Sequence, residues 1–216
     1  IVAADLGFIV GPRLNAAGRM DDISLGIECL LAEDMTHALA LAKRLEELNV
    51  QRKRTEQEMK HEALHQLQEL PSENLPFGLC LYQADWHQGV TGILASRMKE
   101  RYHRPTVVFA DAEQGVLKAS ARSIQGFYIR DALAELNALY PELIIKFGGH
   151  AMAAGLSIAA ENYTEFAKLF DACVRRNLTE EDLAGVCVTD GELNADEFDL
   201  RLAQQLRQAG PWGQQF

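Results

Sequence analysis

The chain has 216 residues, of which 48% are hydrophobic and 24% are charged. These proportions are those of an ordinary globular protein, so they exclude a disordered or fibrous chain, and the length allows one domain or two modest ones. The formal net charge is −10, from 21 basic and 31 acidic residues. That balance argues against a protein that binds nucleic acid with its whole surface.

The sequence carries no membrane or secretion signal: no apolar run reaches the ~18 to 20 residues of a membrane span, and no signal-peptide pattern is present. We therefore expect a soluble, cytoplasmic chain that does not bind membranes. Because the first residue is Ile1 and not Met, we expect the polypeptide to be a piece of a longer protein. The four cysteines have no zinc-ligand spacing and are predicted to be free, buried thiols: Cys29, Cys80, Cys173 and Cys187.

The charge is distributed unevenly along the chain. Residues 1–76 and 161–216 carry net charges of −5 and −6, whereas residues 77–160 carry 8 basic and 7 acidic residues. A phosphate ligand would therefore have to be bound by a local pocket in the first two segments, not by a general positive field.

The predicted elements begin with Ile1–Met20, an apolar and then Gly-rich stretch that is typical of a strand or helix end running into a loop. Asp22 or Ser24 can cap a short helix that ends at Leu31. A long helix is predicted from about Met35 to Leu70, with an apolar face at both ends and an almost wholly polar middle. We expect a helix of this length to connect two domains, with its middle exposed to solvent; the alternative is an ordinary helix lying on one domain.

After a proline-rich break, strand and helix patterns alternate, which predicts an α/β fold. The predicted strands are Gly78–Gln83, Thr106–Ala110, Gly115–Ala121 and Gly185–Leu193, and Leu143–Phe147 is a short apolar run. The predicted helices are Val90–Arg101, Ile129–Leu139, Tyr163–Leu178 and Asp199–Gln208.

Two glycine-containing segments are candidates for binding an anion. Residues 11–19 place Arg13, Asn15 and Arg19 among small residues, and arginine suits phosphate; a turn with solvated arginines is an equally good interpretation. In residues 148–155, Gly148 and Gly149 precede His150 and further small residues, which indicates a backbone nest or a helix start. Tight packing around a core histidine is the more common meaning of Gly-Gly-His alone.

Two further segments carry weaker signals. Ser120, Arg122 and Ser123 could form a phosphate clasp at a strand end. His87, after Trp86 and before a helix, could contact a base or a phosphate, although such a tryptophan is as often a core residue. We find no residues spaced like a metal site and no convincing nucleophile with its base, so we assign no catalytic and no metal-binding residue.

In order along the chain, five segments resemble the RecJ family, the 5′-to-3′ single-strand-specific DNA exonucleases of the DHH phosphoesterase superfamily. They are GPRLNAAGRM (11–20), DWHQGVTGILASRMKERYHRPTVVFA (85–110), SARSIQG (120–126), KFGGHAMAAGLSI (146–158) and AGPWGQQF (209–216). The resemblance implies a DHHA1-type mixed sheet with flanking helices, preceded by a long interdomain helix. It divides the chain into the edge of a DHH domain (1–33), a connecting helix (34–70), the DHHA1 domain (76–180) and a segment leading to an OB-fold domain (185–216).

The resemblance also implies a function: metal-dependent digestion of single-stranded DNA in repair and recombination, with Mn²⁺ or Mg²⁺ bound by residues that this chain lacks. Arg13, Asn15 and Arg19 would grip the 5′-terminal phosphates from one side of a cleft, and Ser120, Arg122 and Ser123 from the other. His150 and the amides of Gly148 and Gly149 would hold phosphates near the scissile bond. The family commonly has Gly-Ser-Gly-Arg-Ser where this chain has Ala119 and Ala121, whose methyl groups narrow the approach to the backbone.

Expected partners are single-stranded DNA, single-strand-binding protein and a RecQ-type helicase, with the protein a monomer. Two alternatives remain open. The parent protein could be another DHH/DHHA1 phosphodiesterase, acting on nanoRNA or a cyclic dinucleotide. The chain could also bind nucleic acid without any activity of its own.

Overall fold

The computed structural model describes residues 1–68, 75–186 and 189–210. It forms two compact units, which we describe separately: residues 1–49 together with those from 186 on, and residues 50–185. The helices are α1 (Ala3–Asp5), α2 (Gly11–Met20), α3 (Ser24–Leu31), α4 (Met35–Gln68), α5 (Thr91–Tyr102), α6 (Ile129–Leu139), α7 (Tyr163–Asn177) and α8 (Leu200–Ala209), with a π-helical turn at Leu6–Val10. The strands are β1 (Leu79–Tyr82), β2 (Thr106–Asp111), β3 (Val116–Arg122), β4 (Lys146–Gly149) and β5 (Ala153–Ala159).

The second unit is built on a five-stranded sheet in the order β1-β2-β3-β5-β4. Only β1 and β2 are parallel, and the other neighbouring strands are antiparallel. One face of the sheet packs on α6 and α7 in a core that includes Phe109, Leu117, Leu156, Phe166 and Phe170. The mixed α/β class and the long helix predicted from the sequence are thereby confirmed.

The other face of the sheet is only partly covered. Helix α5 contacts β2 and β3, and the second half of α4 is tied to β1 by a hydrogen bond from Gln66 Nε2 to the Tyr82 carbonyl. Trp86 is a core residue there: it is buried, and its Nε1 donates to Glu62 of α4 at 2.6 Å. Four residues of β3, β4 and β5 are exposed on this face: Lys118, Lys146, Gly148 and Gly155.

The first unit corrects the prediction for residues 11–20, which form helix α2 and not a loop. Gly11 and Gly18 suggest a loop, but the chain is helical without a break from Ala3 to Met20. Pro12 lies in the first turn of α2, where its fixed φ suits a helix. Ala16 and Ala17 are fully buried beside Leu45 and Leu48 of α4. Their small side chains allow the two helices to pack closely, and this burial stabilises the helix.

Two further predictions about local structure were wrong, and one strand was not predicted. Residues 148–155 are not a helix start, because β4 and β5 form a hairpin that pairs Gly148 with Gly155. Strand β5 was not predicted, and β4 begins at Lys146, near the end of the apolar run 143–147. The described residues of the predicted strand 185–193 form no strand; Val186 is 79% exposed and Gly191 has φ +118, which interrupts an extended chain.

One side of the polar middle of α4 is less exposed than predicted, whereas Arg54 and Glu58 are exposed. The side chains of Arg52 and Glu56 are only 12% and 15% exposed, and Glu56 accepts bonds from both Arg52 and Arg97 of α5 at 3.2 Å. Ion pairs of Glu56 with Arg52 and with Arg97 therefore connect α4 to α5 in place of apolar packing. The end of the predicted helix at 69–70, Cys187, and the aromatic residues Trp212 and Phe216 lie outside the described residues.

Candidate phosphate-binding site

Arg122 and Ser120 lie on β3 beside the amino end of α5. The Ser120 hydroxyl is 3.0 Å from the Thr91 hydroxyl, at the first residue of that helix. A Cβ added to Gly92 would lie 3.1 Å from Arg122 Nη2 and 3.4 Å from Ser120 Oγ. The absence of a side chain at Gly92 therefore lets the helix end approach both groups.

These four residues, Thr91, Gly92, Ser120 and Arg122, form what we call the α5 cluster. The first N–H groups of a helix have no intrahelical partner, and the helix dipole places positive charge there. The cluster combines that helix end with the Arg122 guanidinium, and both are suited to phosphate. The Thr91 hydroxyl is buried and donates to the Gln88 carbonyl at 2.9 Å, so Ser120 is the donor in the contact between the two hydroxyls and would have to turn to donate to a ligand. Arg122 also donates to the Ala121 carbonyl, which holds the guanidinium close to the sheet.

His87 lies in the exposed loop that leads into α5. Its Nδ1 accepts from the Gly89 N–H at 3.1 Å, and its carbonyl accepts from the Val90 N–H. The ring is therefore oriented by the loop, and Nε2 is the nitrogen that can donate to a ligand.

Gly148, Gly149 and His150 occupy the tip of the β4–β5 hairpin, and all three are exposed. The His150 N–H donates to the Ala153 carbonyl at 2.7 Å, which closes a three-residue loop. Gly149 has φ +147, and a Cβ there would lie 2.5 Å from Ala154 Cα, so only glycine fits.

The hairpin tip is fixed from two sides. Its loop carbonyls at Ala151 and Met152 accept from the N–H groups of Ile129 and Ser123. His150 opens onto a cavity of about 550 Å³ that Tyr128 and Arg130 also line. His150 is therefore not the core histidine of the alternative interpretation, but an accessible side chain on a fixed loop.

Ser123 does not belong with Ser120 and Arg122. It is 1% exposed, and its hydroxyl donates to the Phe127 carbonyl at 2.5 Å. The hydroxyl thus supports the turn after β3 and does not reach the accessible face, so we leave Ser123 out of the candidate site.

The three candidates in α2 belong to the first unit and do not share one face. Arg13 pairs with Glu46 of α4 and donates to the Ile9 carbonyl at 2.7 Å. Asn15 and Arg19 are exposed and four residues apart, so the helical repeat places them side by side, away from Arg13. Arg13 is held by a carboxylate, and Asn15 with Arg19 is the more accessible pair.

The sequence reasoning missed Thr91 and Gly92, whose roles follow only from the packing of α5. It also missed Lys118, although the alternation of Lys118, Ser120 and Arg122 along β3 was a readable signal of one shared face. Among residues 1–68, 75–186 and 189–210, no three His, Cys, Asp or Glu side chains are grouped to hold a metal ion. None of the described helices is both long and apolar enough to cross a membrane.

Comparison with known proteins agrees with this architecture. The DHHA1 domain family matches residues 76–176. The single-stranded-DNA-specific exonuclease RecJ of Salmonella typhimurium is 53% identical over the whole chain, and that of Haemophilus influenzae is 51% identical over 99% of it. The chain spans 38% of the length of each of these relatives.

A solved structure shows the same fold. The crystal structure of Thermus thermophilus RecJ in complex with Mg²⁺ matches with a TM-score of 0.70 and 29% identity, over 81% of this chain and 26% of that chain. A second structure of that protein contains Mn²⁺ and matches equally well. The chain belongs to the RecJ family and contains its DHHA1 domain.

Proposed function

We propose that this chain is the DNA-binding part of a 5′-to-3′ exonuclease specific for single-stranded DNA, with a role in DNA repair and recombination. The observation that carries the proposal is the α5 cluster, where a helix amino end, two hydroxyls and Arg122 converge. Relatives that match the whole chain are named as single-stranded-DNA-specific exonucleases. The cluster would bind the 5′-terminal phosphate.

His150 and the glycines before it would bind phosphates near the scissile bond. The hairpin presents the ring and two side-chain-free residues on a fixed loop, so a phosphate can approach the backbone closely. We assign these residues to positioning and charge neutralisation, and not to proton transfer.

The divalent metal that the resemblance implies does not fit the described residues, because they contain no suitable group of ligands. We propose that Mn²⁺ or Mg²⁺ is bound by residues elsewhere in the full-length protein. The partner proteins, single-strand-binding protein and a RecQ-type helicase, and the monomeric, cytoplasmic state are likewise proposals.

The test of the α5 cluster is Arg122→Lys in the full-length protein. Lysine keeps the charge but loses the planar pair of donors, and a charged hydrogen bond contributes about 1.5 to 3 kcal/mol. We therefore expect binding of 5′-phosphorylated single strands to weaken roughly ten- to a hundredfold, with little change on 5′-hydroxyl strands. Arg101→Lys, at the other end of α5, is the control and should leave both affinities unchanged. An equal loss on both strands would contradict the assignment.

His150→Ala should affect turnover more than binding, as loss of a contact made in the transition state does. Single-turnover kinetics and thermal melts would be measured together. Because the ring is exposed, the melting temperature should hardly change. A large drop in melting temperature with unchanged turnover would show that His150 has a structural role only.

The same assays separate the alternatives. A phosphodiesterase for nanoRNA or cyclic dinucleotides would prefer dinucleotides to long 5′-phosphorylated single strands. A protein that only binds nucleic acid would show affinity without turnover when supplied with either metal.

A further inference from the structure

The accessible part of the sheet is strongly biased in charge. We call it the open sheet face: the alternate residues Lys118, Ser120 and Arg122 of β3, Ala153, Gly155 and Ser157 of β5, and Lys146 and Gly148 of β4. Of these, Ser157 is only 3% exposed, and the others are exposed or half-buried. The residues that alternate with them in β3, Leu117, Ala119 and Ala121, are in the core on the opposite face. These eight positions hold three cations and no carboxylate, in a chain whose net charge is −10.

The strand register sorts these residues into rows. Ser120 pairs with Gly155, and Gly155 with Gly148; in the next row, Lys118 pairs with Ser157, and Ser157 with Lys146. Neighbouring strands are ~4.8 Å apart, so the two lysines start about 10 Å from each other across Ser157. The lysine row lies two residues, or ~6.7 Å, beyond the row of Ser120.

The surface between the rows is concave and unobstructed. A cavity of about 430 Å³ is lined by Lys118, Lys146, Gly148, Gly155 and Ser157, among others. A Cβ at Gly148 would meet no atom within 4 Å, and one at Gly155 would meet only the Ala119 carbonyl oxygen, at 3.7 Å. The two glycines thus leave space for a bulky group above the sheet.

The lysines are available to a ligand. Both are exposed, and neither forms an ion pair with any residue in the described ranges. Two unpaired cations beside a row of the sheet that contains two glycines suit a chain of phosphates, because lysine binds phosphate as a point charge without reading sequence.

We propose that Lys118 and Lys146 form a second phosphate-binding subsite for single-stranded DNA, on the side of the Ser120 row that lies away from Arg122. The inference rests on the proposed function, since the same strand would contact both subsites. It predicts contacts that depend on charge and not on base identity.

The experiment measures how binding to a 5′-phosphorylated oligothymidylate depends on salt, with full-length protein and without divalent metal. Each phosphate contact on a single strand contributes about 0.7 to the slope of log affinity against log salt. Lys118→Ala and Lys146→Ala should each reduce the slope by about 0.7. Between 50 and 200 mM salt, the wild type should therefore lose about sevenfold more affinity than the double variant.

Lys168→Ala is the matched control, because Lys168 is exposed on α7, which packs on the opposite face of the sheet. Lys168→Ala should leave the slope unchanged. Lys118→Arg and Lys146→Arg keep the charge, so they should retain the wild-type slope. Unchanged slopes in the two alanine variants, with the wild-type preference for a 5′-phosphate intact, would overturn this inference alone. A wild type that shows no such preference would instead contradict the proposed function, and a wild type that binds no single strand would contradict both.

Discussion

The two adjacent glycines at the hairpin tip occupy their positions for different structural reasons. Gly149 combines φ +147 with no space for a Cβ, whereas Gly148 has no atom within 4 Å of an added Cβ. From the sequence the two glycines look equivalent. The backbone conformation shows that Gly149 is required by the turn, whereas Gly148 leaves the open sheet face free of a side chain.

We expect Gly149→Ala to destabilise the protein by about 1 to 3 kcal/mol, which is the cost of holding a residue with a side chain in a backbone conformation that favours glycine. Gly148→Ala is its control and should change the free energy of unfolding by less than about 1 kcal/mol. Denaturant unfolding of both variants gives the comparison. Similar losses would show that the hairpin adapts and that φ at Gly149 is not limiting.

At the scale of elements, the link between α4 and α5 depends on Glu56, which binds Arg52 and Arg97. The Glu56 hydrogen bond also raises the pKa of Arg97, together with the attraction between the two charges. The polar segment of α4 is therefore part of the packing between helices. Its exposure cannot be judged from one helix alone, since the partner lies about 40 residues further along the chain.

Glu56→Gln should cost about 1 to 2 kcal/mol, because two charged hydrogen bonds at a largely buried carboxylate are weakened. It should also speed amide exchange near residues 52–58. Glu58→Gln is the control: Glu58 pairs with Arg54 in the same helix, both are well exposed, and the loss should stay below about 0.5 kcal/mol. Equal effects of the two variants would mean that the contact with Arg97 contributes nothing.

At the scale of the whole molecule, the core of the second unit contains a thiol that resists ionisation. Burial raises the pKa of Cys173 from 9.0 to about 11, and the nearby Glu135 carboxylate adds to the shift. The unfolded chain loses this proton at lower pH than the folded protein does. Stability should therefore fall as the pH rises from 9 through 11.

Melting temperatures measured between pH 8 and 11 would show this fall, and Cys173→Ala should reduce it. The variant is expected to melt lower than the wild type at pH 8, because a buried atom is lost. The decrease in its melting temperature from pH 8 to pH 11 should nevertheless be smaller than that of the wild type. An identical decrease in both proteins would place the alkaline sensitivity in other groups.

The 216-residue chain alone should release no nucleotides from single-stranded DNA in Mn²⁺ or Mg²⁺, since its described residues offer no group of metal ligands. Release of labelled mononucleotides by the purified chain is the measurement. Metal-dependent release above that of a blank preparation would show that the chain contains catalytic groups of its own.

Local patterns in the sequence were sufficient for elements with strong periodicity. Helix α6 has the predicted bounds, Ile129–Leu139, and α7 and β2 differ from prediction by one residue at one end. The failures fell where local signals conflict with packing: glycines suggested a loop at α2, and Gly-Gly-His suggested a helix start where a hairpin forms. Glycine permits many conformations, so its neighbours in space decide which one is used.

The sequence by itself determined the mixed α/β class, the long helix and the segments that hold Ser120, Arg122 and His150. Only the tertiary structure decided what those segments do together: it buried Ser123, paired Arg13 with Glu46, and placed Gly92 against Arg122. It also aligned Lys146 with Lys118 through β5. The physical reason is that alternation along a strand specifies which residues share a face, while the neighbours across the sheet depend on pairing between distant segments.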